Sequence, residues 1–170
     1  MYTAAILIAS DKASQGLRAD ACTAVIRSFL DPCSFQIVGE TVLPDDVSLI
    51  SEELRRFSDV LQANLIITSG GTGFSKRDVT PEATRAVISR EAPGISGAIL
   101  HYSLLKTKRA MLSRGVCGIR GDSLIINLPG SPVAAAEILA EILDTLLHGI
   151  GILTGDVTEC SRALHGESDN

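Results

Sequence analysis

Two carboxylates and a glycine-rich loop are the residues of this chain best suited to chemistry. Asp45 closes the run Leu43-Pro44-Asp45, and Asp78 ends the stretch GGTGFSKRD, which holds Gly70, Gly71 and Gly73 beside Lys76 and Arg77. Hard carboxylate oxygens suit Mg²⁺, which typically binds through one or two carboxylates plus substrate phosphates. Glycines let the backbone take positive φ and approach a ligand closely. The helix start at Thr80-Pro81-Glu82 offers unpaired N–H groups to an anion. This combination suits phosphoryl or nucleotidyl transfer, whose catalysis is mainly positioning and neutralisation of phosphate charge. Taken alone, the glycine stretch reads equally well as a tight strand-to-helix turn.

Other chemistries fail on spacing. A Walker A loop needs glycine directly before Lys-Ser/Thr, but Ser75 precedes Lys76 and Arg77 follows it. A dinucleotide fingerprint starting at Gly71 needs glycine or alanine where Lys76 stands. His101, His148 and His165 lack zinc-ligand spacing, and no GxSxG elbow marks a serine nucleophile. Cys22, Cys33, Cys117 and Cys160 form no CxxC pair and read as buried or incidental thiols.

The elements that must position these residues follow from the apolar pattern. Thr3 to Ala9 is an unbroken apolar run, as expected for a central strand buried on both faces, and it places Ser10-Asp11 at its carboxyl end. Asp20 is the expected cap of a helix running to Leu30, where Asp31-Pro32 stops it. Ser34 to Leu43 reads as a strand. Asp46 then caps a helix whose apolar face is Val47, Ile50, Leu54, Phe57 and Leu61. One aspartate suffices for that cap, which leaves Asp45 free for function.

After the strand Leu65–Ile67 and its loop, Thr80 as cap and Pro81 at the first position start a helix expected to reach about Arg90. Ile95 to Leu105 reads as another helix. It is followed by a basic cluster, Lys106, Lys108, Arg109 and Arg114, whose ordinary reading is solvated charge. Gly115–Ile119 and Ser123–Leu128 flank the turn Arg120-Gly121-Asp122 as two strands. The second strand runs into Pro129-Gly130-Ser131, with Ser131 capping a helix from Val133 to Leu147 and Gly149 as its stop.

Strands alternating with helices predict an α/β fold, a three-layer sandwich with a mostly parallel central sheet and helices on both faces. Residues 1–153 form its single domain and 154–170 a polar tail. Loops at the carboxyl edge then converge as a binding site: Ser10, Asp11, Asp45, Ser69 to Gly73 with Thr72, Arg77, Asp78, and Asn127 with Pro129, Gly130 and Ser131.

Composition narrows the partners. The 170 residues are 45% hydrophobic and 21% charged, ordinary for one globular domain. A net charge of −5 and 4% aromatic content argue against nucleic-acid binding. No apolar run approaches the ~20 residues of a membrane helix and the N-terminus lacks a basic signal region, so no membrane partner and a cytoplasmic location are expected.

Four separated motifs carry a family likeness: Leu43-Pro44-Asp45, GGTGFSKRDVTPEAT (Gly70–Thr84), MLSRGVCGIRG (Met111–Gly121) and LIINLPGSP (Leu124–Pro132). In order and spacing they resemble the molybdopterin adenylyltransferase family, which includes bacterial MogA and the G domain of gephyrin. The resemblance implies a homotrimer that transfers AMP from ATP to the terminal phosphate of molybdopterin, with Mg²⁺, and hands the product to a molybdenum insertase. It implies that Asp45 and Asp78 are essential for metal and substrate positioning, that Gly70–Gly73 meet nucleotide and pterin phosphates, and that Ser103, Ser113 and Arg114 contact pterin or phosphate. Lys76 departs from the family's usual proline. A silent molybdopterin-binding module and the sister insertase stand as alternative functions, though the insertase usually reads GGVS where this chain has GGTG.

Overall fold

The computed structural model of the chain describes residues 1–30 and 35–156. A six-stranded sheet runs in the order β2-β1-β3-β6-β5-β4. It comprises β1 (Tyr2–Ala9), β2 (Phe35–Leu43), β3 (Leu65–Ser69), β4 (Arg90–Glu91), β5 (Cys117–Arg120) and β6 (Ser123–Leu128). β2, β1, β3 and β6 are parallel, while β5 runs antiparallel to β6 and β4 antiparallel to β5 at one edge.

Helices α1 (Asp11–Ser14), α2 (Cys22–Leu30), α3 (Val47–Arg55), α4 (Thr80–Arg85), α5 (Pro93–Lys106) and α6 (Pro132–Thr154) complete the three-layer sandwich. Alternation along β1 divides the core. Ala4, Ile6 and Ile8 pack with α2 and α6, and Ala5, Leu7 and Ala9 pack with α3 and α4. A strand buried on both faces must read as continuously apolar, as this one does.

The register sets up the site. Ile8 lies beside Ser69 and Ser69 beside Leu128, so β1, β3 and β6 end level and their loops emerge together. β1 leads outward to β2 while β3 lies on its other side, which makes the β1–β3 junction the topological switch point where open α/β sheets bind ligands.

Several expectations need correction. α4 ends at Arg85, and Arg90–Glu91 join the sheet instead, with Ser89 N–H donating to Ile119 O at 2.8 Å. The helix after Asp46 stays α-helical to Arg55 and then widens into a π turn, Arg56–Val60, that keeps Phe57 fully buried. α5 begins at Pro93, two residues before the expected Ile95, and Pro93 serves as its first residue. α6 continues through Gly149 because Ile150 and Gly151 remain buried; Gly155, at φ +80°, ends it. The expected stop at Asp31-Pro32, the residues Cys33, Cys160 and His165, and most of the tail lie outside the described residues.

Candidate active site at the switch point

The glycine loop is built around positions no side chain could occupy. Gly70 has φ +97°, and a Cβ there would collide with the Ala9 carbonyl oxygen. Gly71 has φ +62°, and its Cβ would stand 2.6 Å from Asp45 Oδ1. A Cβ on Gly130 would come 3.2 Å from Gly70 Cα, so the β3 and β6 loops touch backbone to backbone. Thr80 fixes the return of the chain: its Oγ1 donates to Gly70 O at 2.9 Å and its N–H to Gly71 O at 3.1 Å. It is therefore the first residue of α4 rather than its cap. Val79 takes the cap position without a side-chain hydrogen bond.

Asp45 and Asp46 divide their tasks as the sequence suggests. Asp46 Oδ1 accepts from Leu49 N–H at 3.0 Å and caps α3. Asp45 turns inward, 9% exposed. Its Oδ2 accepts from Asp11 N–H at 3.2 Å, and its own N–H donates to Asp11 Oδ1 at 3.1 Å. Asp45 Oδ1 is buried and lacks a hydrogen-bond partner among the described residues. Burial, helped by the Asp11 and Asp78 charges, pushes the Asp45 carboxyl above the usual carboxylate range. A buried, unpartnered carboxylate oxygen next to another carboxylate is the donor set a hard divalent cation takes, so the residues present fit Mg²⁺.

Arg77 does not face the site directly. Its Nε and Nη2 each donate to Asp11 at 2.9 Å, a bidentate pair that holds the Asp11 carboxyl below its ordinary range. Asp78 Oδ2 accepts from Ser75 N–H at 3.1 Å, and a Cβ on Gly73 would come within 2.8 Å of it.

Arg114 braces this loop. Nε donates to Gly73 O and Nη2 to Asp78 O, each at 2.7 Å, Nη1 pairs with Glu82, and Arg114 N–H donates to Thr72 O at 2.9 Å. The fork of its guanidinium is thus committed to the protein itself.

Two cavities meet at the loop. A polar one of about 240 Å³ is lined by Ser10, Asp45, Ser69, Gly70, Gly71, Asp78 and Gly130, together with residues 18–22. A larger, mainly apolar one of about 480 Å³ takes Thr72, Gly73, Ser103, Ser113, Asn127 and Pro129, with Arg109 and α5. The glycine loop is the wall between them.

Ser10 also caps α1, accepting from Ala13 N–H at 3.2 Å. Ser69 Oγ donates to Pro129 O at 2.9 Å, tying β3 to the β6 loop. Ser131 caps α6 and lines neither cavity. Asn127 is 2% exposed: its Nδ2 donates to Thr68 and Thr84 hydroxyls at 2.9 Å, and its Oδ1 accepts from Val116 N–H at 3.0 Å. Its side-chain amide is fully used in holding β6, α4 and the approach to β5 together.

Sequence reasoning missed Arg18 and Asp20 as cavity residues, and Thr80 and Glu82 as loop anchors. The TPE run gave a signal for the last two but was absorbed by the capping pattern. Cys22 and Cys117 are buried free thiols as expected, and burial pushes Cys117 up to about 12. Among the described residues no group of three or more His, Cys, Asp or Glu is placed to hold a metal, and no helix is long and apolar enough to cross a membrane.

Comparison with known proteins agrees with this architecture. Residues 5–148 match the family described as a probable molybdopterin binding domain. The chain is 38% identical over 167 residues to the Drosophila melanogaster molybdenum cofactor synthesis protein cinnamon, covering 97% of this chain but 28% of that protein, so it spans about a quarter of that relative's length. It is 35% identical over 162 residues to a Helicobacter pylori molybdopterin adenylyltransferase, covering 92% of this chain and 90% of that protein. The crystal structure of the molybdopterin biosynthesis enzyme MoaB from Thermus thermophilus superposes with a TM-score of 0.86 at 42% identity, covering 91% and 98% of the two chains. The family match covers most of the sequence and the fold match nearly all of a solved relative, so this chain belongs to the molybdopterin-binding domain family that includes these molybdenum cofactor biosynthesis proteins.

Proposed function

We propose that the chain acts in molybdenum cofactor biosynthesis as a molybdopterin adenylyltransferase. The observation that carries the reading is the juxtaposition of an apolar cavity and a carboxylate-bearing polar cavity across one glycine wall. Molybdopterin has a flat heterocyclic ring system with hydrogen-bonding edges and a phosphate, and it enters the larger cavity, where apolar walls cover the ring faces and Ser103, Ser113 and Arg109 offer polar groups, with its phosphate at Gly70–Gly73. ATP places its phosphates in the smaller one. There a phosphate oxygen of molybdopterin bonds to the α-phosphorus of ATP. The bond from the α-phosphorus to the bridging oxygen breaks, and its electron pair leaves with pyrophosphate.

Asp45 and Asp78 would hold Mg²⁺, which supplies charge neutralisation at the triphosphate when bound. Gly70 and Gly71 let the loop pack against Ala9, Thr80 and Asp45 where a Cβ would collide, and so hold its backbone at the edge of the polar cavity, where the phosphates would lie. Asp11 fixes Asp45 through the reciprocal backbone contacts, and Arg77 fixes Asp11. No protein nucleophile takes part. The protein contributes positioning and electrostatics.

The cytoplasm is the compartment proposed for this step, as a homotrimer passing its product to a molybdenum insertase. The test is pyrophosphate release by purified protein with molybdopterin, ATP and Mg²⁺. Release should depend on all three and vanish in Asp78→Ala with the fold retained. Full turnover in that variant would overturn the assignment, and ligand binding without release would favour a silent binding module.

A further inference from the structure

The polar cavity lined by Asp45 and Asp78 contains a single cation, Arg18, among its described lining residues. It stands against three carboxylates, Asp20, Asp45 and Asp78. Asp20 is already committed, its Oδ1 accepting from Cys22 and Thr23 N–H at 2.8 and 3.3 Å as the cap of α2. The neighbouring guanidiniums are committed as well: Arg77 to both oxygens of Asp11, and Arg114 to Gly73, Asp78 and Glu82. Arg18 is exposed on the β1–α2 connection and makes no hydrogen bond or ion pair with the described residues.

An uncommitted guanidinium lining a cavity otherwise short of positive charge is placed for an anion, and its planar fork suits phosphate oxygens. Its side of the cavity identifies which phosphates. The attacking oxygen comes through the glycine wall, and in-line displacement sends the leaving group away from the attacker. Arg18 belongs to the β1–α2 connection rather than to that wall. We infer that Arg18 binds the β- and γ-phosphates of ATP and stabilises the departing pyrophosphate, an assignment that rests on the adenylyl-transfer reading.

Calorimetric titration of the full chain with inorganic pyrophosphate, ATP and AMP in the presence of Mg²⁺ tests it. Arg18→Ala should weaken pyrophosphate and ATP about tenfold, the effect of losing one charge-assisted phosphate contact. AMP should bind as before, and Arg18→Lys should recover part of the loss. The difference should shrink at high salt, because the side chain is exposed. The melting temperature should not move, since Arg18 is exposed and has no hydrogen bond or ion pair to the described residues to lose. Unchanged pyrophosphate and ATP affinity in Arg18→Ala, with wild type binding both, would overturn the Arg18 assignment alone. A wild type that binds neither would overturn the adenylyl-transfer reading and this inference with it.

Discussion

Replacing Asp45 by asparagine should stabilise the ligand-free protein while removing its activity. Asp45 is almost fully buried, one of its oxygens has no hydrogen-bond partner among the described residues, and burial together with the charges of Asp11 and Asp78 opposes its ionisation. Its folded-state pKa lies above the unfolded value. The stability tied to this group is therefore fully present below the unfolded pKa and is lost as pH rises through the folded one, so at neutral pH the carboxylate is destabilising. An unsatisfied buried polar group costs ~1–3 kcal/mol. The asparagine side chain would stay neutral and its carbonyl could still accept from Asp11 N–H, but its Nδ2 would take the unpartnered place of Oδ1, so the gain comes from losing the buried charge alone and belongs at the lower end, about 1 kcal/mol. For a chain of this length that is roughly 2–4 °C in Tm. Differential scanning calorimetry near pH 7.5 without Mg²⁺ or nucleotide reads it directly, and the difference should narrow toward pH 4 as wild-type Asp45 protonates. ATP and Mg²⁺ should raise the wild-type Tm and leave the variant nearly unmoved. A variant that melts lower than wild type at pH 7.5 would refute the idea that Asp45 is held in a strained, function-ready state.

The other expectations follow from the same contacts. Arg114→Ala removes the brace on Gly73 and Asp78, and should cost about 2 kcal/mol by denaturant unfolding. Arg114→Lys should fail to restore it, because one ammonium cannot reproduce the fork. Gly71→Ala forces a side chain toward Asp45 Oδ1 at positive φ, and should lose at least about 1 kcal/mol of stability together with ATP binding, read by calorimetry. The acid limb of kcat/KM should fall at a higher pH than an ordinary aspartate gives, because Asp45 must be ionised and its pKa is raised. The acid limb of kcat should lie lower, since bound cation favours the carboxylate. The Asp11–Arg77 pair, with Asp11 depressed, should persist to more acid pH and contribute no limb in that range.

Much of this architecture is legible in the sequence. The apolar runs of β1, β3 and β6 announce strands covered on both faces, and Asp46 and Ser131 announce the helices they cap. Because Asp46 alone suffices as a cap, Asp45 stands out in the sequence, and the structure places that residue in the polar cavity. What is not legible is where side chains direct their hydrogen bonds. Arg114 and Asn127 sit in motifs that suggest ligand contact, yet their polar atoms are used within the fold across long separations in sequence. Thr80 has the composition of a cap but is needed one position later, to pin Gly70. Gly149 resembles a stop signal, but burial of Ile150 and Gly151 outweighs the weak helix propensity of one glycine. Arg18 carries no motif at all. Only the packing of the β1–α2 connection against the glycine loop brings it to the cavity.

The most direct test of the central claim is mass analysis of the pterin after incubation of the purified chain with molybdopterin, ATP and Mg²⁺. Adenylyl transfer predicts a product heavier by one adenylyl group, formed in step with pyrophosphate and absent with Asp45→Asn. Molybdopterin recovered unchanged, while the protein binds both substrates, would contradict it.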